Sequence, residues 1–337
     1  MTIIVNCVFR SKFSYLKIPD VQHSTRYPAF TRNDFRNWNF FEMTLVGIFL
    51  FPIRVLLILI LIIWTAIWFK ILALFCCIRN YDTEMPCFFR TFTNLILSWN
   101  VWFIMKLMGF YWPKVVRIKY RNQNPHLEAF PNTKSIINVS NHTSFVDIFY
   151  FISRQSTGFI AKSGTKNFPL IGTMAEAVQC LFVDRLNKNS KAQIFEKLQF
   201  RIEETEKGKH YNPITIFPEG TTTNNKGIVD FKRGAFSGLH PVWIYGLKYT
   251  SRFHPMLNMV EELGCFMGIC LQFCNSMTVY QFTEPIGPKS GVSANEFCEQ
   301  VKLLMCDEFK FEDYHNTFEE KIEFEQMHLG YDINSYK

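Results

Sequence analysis

The chain has 337 residues, of which 48% are hydrophobic, 17% aromatic and only 19% charged, with a mean hydropathy of +0.01. Such a composition excludes a disordered or low-complexity protein, which lacks the apolar residues to bury a core. The formal charge of +7 is uneven: residues 1–40 carry +4, residues 41–306 carry +9 and residues 307–337 carry −6. A basic body suits anionic headgroups or phosphorylated substrates. A nucleic-acid partner is not expected, because no zinc finger, RNP aromatic pattern or basic helix is present.

The N-terminal apolar stretch Thr2–Phe9 is broken by Asn6 and followed by Arg10 and Lys12, which is unlike a secretory signal. The run Val55–Phe69 has no charge over 15 residues, and apolar residues extend it upstream to Met43 and downstream to Ile78. A bilayer span needs about 20 apolar residues, so this run predicts a membrane helix, with Trp64 and Trp68 as interfacial anchors. A second segment, Phe92–Trp112, carries Asn94, Asn100 and Lys106 among aromatics and reads as an interfacial or re-entrant helix closed by Pro113.

Beyond Pro113 the pattern changes. Short strands are predicted at Val115–Tyr120, Ser135–Val139, Gly158–Lys162, Cys180–Asp184, Ile214–Phe217, Val242–Tyr249 and Thr278–Phe282. Helices are predicted at 191–207, where Ile194, Leu198 and Ile202 recur four apart, and at Ser293–Phe309. Alternating strands and helices predict a layered α/β domain with a mostly parallel central sheet flanked by helices. The organisation expected is a basic segment 1–40, membrane and interfacial helices over 41–112, the α/β domain over 113–310 and an acidic tail over 311–337. The ten cysteines, mostly in apolar runs and without a CxxC pair, read as reduced thiols of a cytosol-facing protein.

Two segments carry chemistry. In Val139-Ser-Asn-His-Thr-Ser-Phe-Val-Asp-Ile148, His142 and Asp147 are five apart and do not share a face of one continuous helix. They meet if His142 precedes a helix and Asp147 lies in its second turn, and the carboxylate then leaves one imidazole nitrogen free as a base. Equally, Ser144 and Asp147 fit an S-x-x-D capping box with His142 incidental. The second segment, Ile214-Thr-Ile-Phe-Pro-Glu-Gly-Thr221, puts an acid, a glycine and hydroxyls at a strand end, where α/β sheets bind ligands. Alone it is also consistent with a plain Pro-Glu-Gly turn.

Together, His142-x-x-x-x-Asp147 and Phe217-Pro-Glu-Gly-Thr221, with Phe168-Pro-Leu-Ile-Gly172 and Leu181-Phe-Val-Asp-Arg185 between them and His240-Pro-Val-Trp-Ile-Tyr245 after, resemble the ordered blocks of the glycerophospholipid acyltransferase family. FPEGTTTN at 217–224, Phe231-Lys-Arg-Gly-Ala-Phe236 and Leu271-Gln-Phe273 are similar to the lysophosphatidylcholine acyltransferase branch. One departure is Val178-Gln179, where the family often has a glycine before its strand.

The resemblance implies a membrane-bound enzyme that moves a fatty acyl group from acyl-CoA to the free hydroxyl of a lysophospholipid. His142 would be the general base and Asp147 its orienting carboxylate. Arg185, Glu219, Gly220 and Thr221 would hold the acceptor, and Lys162, Lys166, Lys232 and Arg233 are candidates for the CoA phosphates. No cofactor and no metal are expected; acyl-CoA, a lysophospholipid and the lipid bilayer are the expected partners. Lysophosphatidate or glycerol 3-phosphate is the alternative acceptor. A hydrolase with Ser144 as nucleophile lacks a G-x-S-x-G elbow, and a non-catalytic membrane protein would have no use for His142, Asp147, Arg185 and Glu219 together. The sequons at Asn138 and Asn141 fall on the catalytic block, which favours a cytosol-facing domain on a membrane such as the endoplasmic reticulum.

Overall fold

A computed structural model describes residues 26–32, 34–37, 39–78, 81–121, 123–168, 170–184, 188–257 and 262–329. The apolar N-terminal run forms two helices. Asn39 caps α1 (Phe40–Phe49) by accepting the Glu42 N–H, and Pro52, with no N–H to satisfy, sits in the first turn of α2 (Phe51–Phe75). A third helix, α3 (Cys87–Leu107), ends at Gly109, whose φ of +88° suits glycine, and a Cβ there would lie 3.1 Å from Asn275 Nδ2. The closure expected at Pro113 therefore comes earlier, because a left-handed glycine already stops the helix.

α2 is long and apolar enough to cross a membrane by length and composition. It also carries a buried stripe, Arg54, Ile58, Thr65, Phe69 and Leu72, running along one side, while Leu56, Leu59, Ile60, Ile63 and Ile67 are exposed. The Arg54 guanidinium donates to the carbonyls of Cys270 (2.7 Å), Gln272 (2.5 Å) and Phe273 (2.9 Å) and to the Tyr111 hydroxyl (3.0 Å). One charge in the greasy run thus satisfies carbonyls at the end of another helix instead of facing lipid. α3 buries Phe89, Leu97, Val101 and Ile104 and exposes Phe88, Phe92, Leu95, Trp99 and Phe103, an amphipathic pattern at helical spacing.

The remaining elements are β1 (Lys114–Ile118), β2 (Leu127–Ala129), β3 (Ile137–Ser140), α4 (Phe145–Gln155), β4 (Gly158–Lys162), α5 (Ile171–Ala177), β5 (Leu181–Val183), α6 (Lys188–Glu206), β6 (Ile214–Ile216), β7 (Gly227–Ile228), β8 (Trp243–Tyr249), α7 (Glu262–Cys270), β9 (Met277–Phe282), β10 (Ile286–Pro288), α8 (Ala294–Phe309), β11 (Glu312–Asp313) and α9 (Phe318–Leu329). Seven strands form one sheet in the order β1-β9-β8-β3-β6-β4-β5. Its pairs are parallel except β8–β9, so β8, β3, β6, β4 and β5 run one way. This is the expected layered α/β fold with a mostly parallel sheet, preceded by apolar helices.

The sheet has a core on each face. One joins it to α6 and α8 through Leu198, Ile202, Phe297, Val301 and Phe309. The other joins it to α3, α4 and α7 through Leu97, Ile104, Phe151 and Ile269, and includes Ile58 and Phe69 of α2. The apolar helices are therefore continuous with the core of the α/β body. Two- and three-residue ladders, β10 with β2 and β11 with β7, were not foreseen, because strands so short leave no periodic pattern.

The two ends of the described chain meet. Phe324 of α9 packs on Tyr27 and Phe30, with ring centroids 5.6 and 6.3 Å away, and Asn224 donates to the carbonyls of Pro28 (2.6 Å) and Thr31 (3.1 Å). The acidic segment, as far as Leu329, lies folded on the body. None of the nine described cysteines is in a disulfide.

Candidate active site

β3 and β6 are parallel neighbours, with Ile137 opposite Ile214 and Val139 opposite Ile216. Their carboxyl ends lead into the two sequence blocks, so register alone brings His142 beside the Pro-Glu-Gly turn. α4 begins one residue after Ser144, whose side chain accepts the Val146 N–H (3.2 Å). Asp147 occupies the third position of the helix, in its first turn instead of the second. Its Oδ2 accepts the backbone N–H groups of Thr143 (2.7 Å) and Ser144 (2.9 Å) and lies 2.9 Å from His142 Nδ1.

The two readings of this segment are thus both present. The capping box forms, and the capping carboxylate also holds the imidazole. Two backbone N–H groups at the amino end of a helix already donate to Asp147 Oδ2. Oδ2 is then an acceptor, His142 Nδ1–H is the donor, and the Nε2 lone pair is left available as a base. The imidazole side chain is 20% exposed and stacks on Phe217, at 4.1 Å between centroids and 12° between planes. Ser144 is fully buried and its oxygen is committed to the cap, which removes it as a nucleophile.

Tyr249 was not foreseen from sequence. It closes β8, a neighbour of β3, and its buried hydroxyl donates to Asp147 Oδ1. Burial, and then the Asp147 charge, push the Tyr249 hydroxyl well above its ordinary pKa, so it stays a donor. The end of the predicted strand Val242–Tyr249, at the carboxyl edge of the sheet, is the only sequence signal that pointed to it.

Glu219 is only 2% exposed, and both carboxylate oxygens are taken by backbone: Oε1 by the N–H of His142 (2.6 Å) and Oε2 by the N–H of Val229 (3.1 Å). Glu219 was expected to hold the acceptor, but its side chain is turned inward and ties the two blocks together from within. Burial pushes its carboxyl up to about 8, against the pull of those two N–H groups. Gly220, at φ +67°, supplies the left-handed turn, and the Lys232 ammonium lies against it. Thr221 is buried beside it. The Thr223 N–H donates to the His142 carbonyl (2.9 Å), so the loop grips the His142 backbone at both its N–H and its C=O.

Of the basic residues expected at CoA, Lys162 is exposed at the end of β4 and Arg233 is exposed beside Lys232. Lys166 is paired with Glu176 at 3.0 Å. Arg185 lies outside the described residues. Gln179, where a glycine was expected, adopts φ +62°; its buried amide donates to the carbonyls of Tyr81 (3.1 Å) and Thr83 (3.0 Å) and accepts the Asn212 N–H (3.0 Å). Those contacts offset the backbone strain of a non-glycine residue there. Asp230, Asp313 and His315 converge, but the Lys302 ammonium bridges Asp230 (2.5 Å) and Asp313 and occupies the place a cation would take.

Residues 95–245, spanning His142, Asp147 and Glu219, match the Acyltransferase family. The matched stretch is a little under half of the chain. The chain is 30% identical over 193 residues to lysophospholipid acyltransferase LPEAT1 of Arabidopsis thaliana, covering 52% of this chain and 48% of the relative. It is 26% identical over 286 residues to lysophosphatidylcholine acyltransferase 2 of Mus musculus, covering 83% and 49%. The chain therefore spans about half the length of the curated relatives it matches. Among solved structures, the 1-acyl-sn-glycerophosphate acyltransferase PlsC from Thermotoga maritima aligns with a TM-score of 0.48 at 18% identity, covering 78% of this chain and 98% of that one.

Proposed function

We propose that this chain is an acyltransferase that moves a fatty acyl group from acyl-CoA to the free hydroxyl of a lysophospholipid, with a lysophosphatidylcholine-like acceptor, and that His142 is its general base. The observation that carries the reading is the His142–Asp147 contact at 2.9 Å, with Nε2 free and the His142 backbone clamped by Glu219 and Thr223. The relatives, named as acyltransferases of lysophospholipids and of lysophosphatidylcholine, favour that acceptor class.

An alcohol is a poor nucleophile at neutral pH. Nε2 of His142 takes the acceptor hydroxyl proton as the oxygen attacks the thioester carbon, forming the new C–O bond and a tetrahedral oxyanion. Asp147 stabilises the imidazolium and keeps the tautomer. Collapse of the oxyanion breaks the C–S bond, and the imidazolium returns the proton to the departing CoA thiolate. Tyr249 fixes the far oxygen of Asp147 so that the pair is pre-organised. In this reading Arg185, with Gly220 and Thr221, receives the acceptor headgroup, and Lys162, Lys232 and Arg233 offer charge to the CoA phosphates.

The site acts at a bilayer, where the acceptor lies. The exposed apolar faces of α1, α2 and α3 are the surface that suits lipid, and the buried stripe of α2 keeps that surface rigid against the catalytic body. The endoplasmic reticulum, with the site on the cytosolic side where acyl-CoA is available, is the compartment that fits. The test is an acyl-CoA assay of purified protein against lysolipids that differ in headgroup. Transfer to lysophosphatidylcholine above lysophosphatidate and glycerol 3-phosphate supports the reading; preference for either of the latter replaces the acceptor.

A further inference from the structure

The loop that holds His142 is itself held from outside the region matched to the family. α9 lies far beyond residue 245, yet Lys321 on it reaches the 219–225 loop. Its ammonium donates to Thr222 Oγ1 (2.7 Å) and to the Thr222 carbonyl (3.1 Å). Thr222 sits between Glu219, which accepts the His142 N–H, and Thr223, whose N–H holds the His142 carbonyl.

Lys321 is 7% exposed, and its nearest carboxylate, Glu325, is 4.0 Å away, beyond hydrogen-bond distance. Lys321 faces the buried Glu325 and donates twice to Thr222, so a methionine there would leave a buried carboxylate without its counter-charge. Burial lowers the ammonium to about 8, while the Glu325, Glu219 and Glu262 carboxylates support its charge. α9 is itself fixed to the N-terminal segment at three points. Asn316 at its base accepts the Ala29 N–H (3.3 Å), Arg26 pairs with Glu323 (2.9 Å), and Phe324 packs on Tyr27 and Phe30.

We propose that Lys321 is a positioning residue for His142, pinning Thr222 so that Glu219 and Thr223 hold the His142 backbone at both ends. The kinetic part of this inference rests on the acyl-transfer reading; the mechanical part does not.

The test uses the full chain with Lys321→Met and, separately, Thr222→Val, which removes the hydroxyl acceptor and keeps the loop's size. Three quantities are read: kcat and KM for both substrates, the thermal midpoint, and amide hydrogen exchange by segment. A displaced base costs rate, so Lys321→Met should lower kcat by roughly 10-fold or more. Both KM values should stay within about two-fold; the midpoint should fall, because Glu325 loses its cation, so kcat is read at a temperature well below it. Exchange should quicken in segments 141–146 and 219–225 and nowhere in the sheet. Thr222→Val should quicken exchange in the same two segments, and it decides the matter if the methionine variant does not fold. Unchanged exchange in both segments, or a kcat at the wild-type level in the folded variants, overturns the proposal. Wild-type protein without acyl transfer to any lysolipid would instead remove the functional reading, and the exchange data would still decide the role of Lys321.

Discussion

The carboxylate of Glu219 accepts the backbone N–H of His142 at 2.6 Å, across 77 residues of sequence. The acid of the second motif is therefore a fastener for the first, with its other oxygen on the Val229 N–H.

Replacing Glu219 with Gln should expose that role. The amide nitrogen carries only donors, so one of the two buried N–H groups meets a donor instead of an oxygen, and kcat should fall by roughly 10- to 100-fold with the lysolipid KM little changed. A raised lysolipid KM with normal kcat would return Glu219 to the acceptor site.

The same residue gives a pH signature. Its folded carboxyl holds a proton up to about 8, whereas an exposed glutamate releases it near 4.5. Between those values the folded state binds more protons than the unfolded state, so Glu219 makes stability fall as pH rises. Thermal midpoints measured from pH 5 to 8 should decline less steeply in Glu219→Gln than in wild type. Parallel curves would contradict the assignment.

Tyr249→Phe removes one hydroxyl from Asp147 and keeps the ring that packs on Phe110. The carboxylate loses a buried donor, and kcat should drop by about 10-fold with the fold retained, as read by steady-state kinetics and circular dichroism. Wild-type kcat in this variant would show that the Tyr249 hydroxyl does not position Asp147.

Trp99 and Phe103 are exposed on one stripe of α3, whereas Trp102 is half-buried with the Lys106 ammonium 5.0 Å from its ring. Glutamate at both Trp99 and Phe103 should reduce activity on bilayer lysolipid more than on detergent-dispersed lysolipid. Equal losses on the two substrates would separate this face from the membrane.

How much of this was legible beforehand depended on the range of the interaction. The seven strands of the main sheet were readable because apolar residues alternate or cluster over several positions in each. The His142–Asp147 meeting was readable because five residues that turn from strand to helix leave few geometries. Glu219 was picked out by its motif, but its partners are backbone groups, which carry no sequence signature. Tyr249 reaches Asp147 only through the order of β3 and β8, a tertiary fact. Lys321 was hidden differently: the acidic composition of 307–337 marked out only an acidic tail, whereas Phe324 and Lys321 sit on one buried face of α9.

The central claim is that Nε2 of His142, held by Asp147, takes the acceptor proton. Its most direct test is release of CoA thiol from acyl-CoA in the presence of lysophosphatidylcholine, wild type against His142→Ala, with folding checked by thermal melting. The account predicts a fall in kcat of about 10²–10⁴ with an unchanged melt. Turnover within a few-fold of wild type in the folded variant would contradict it.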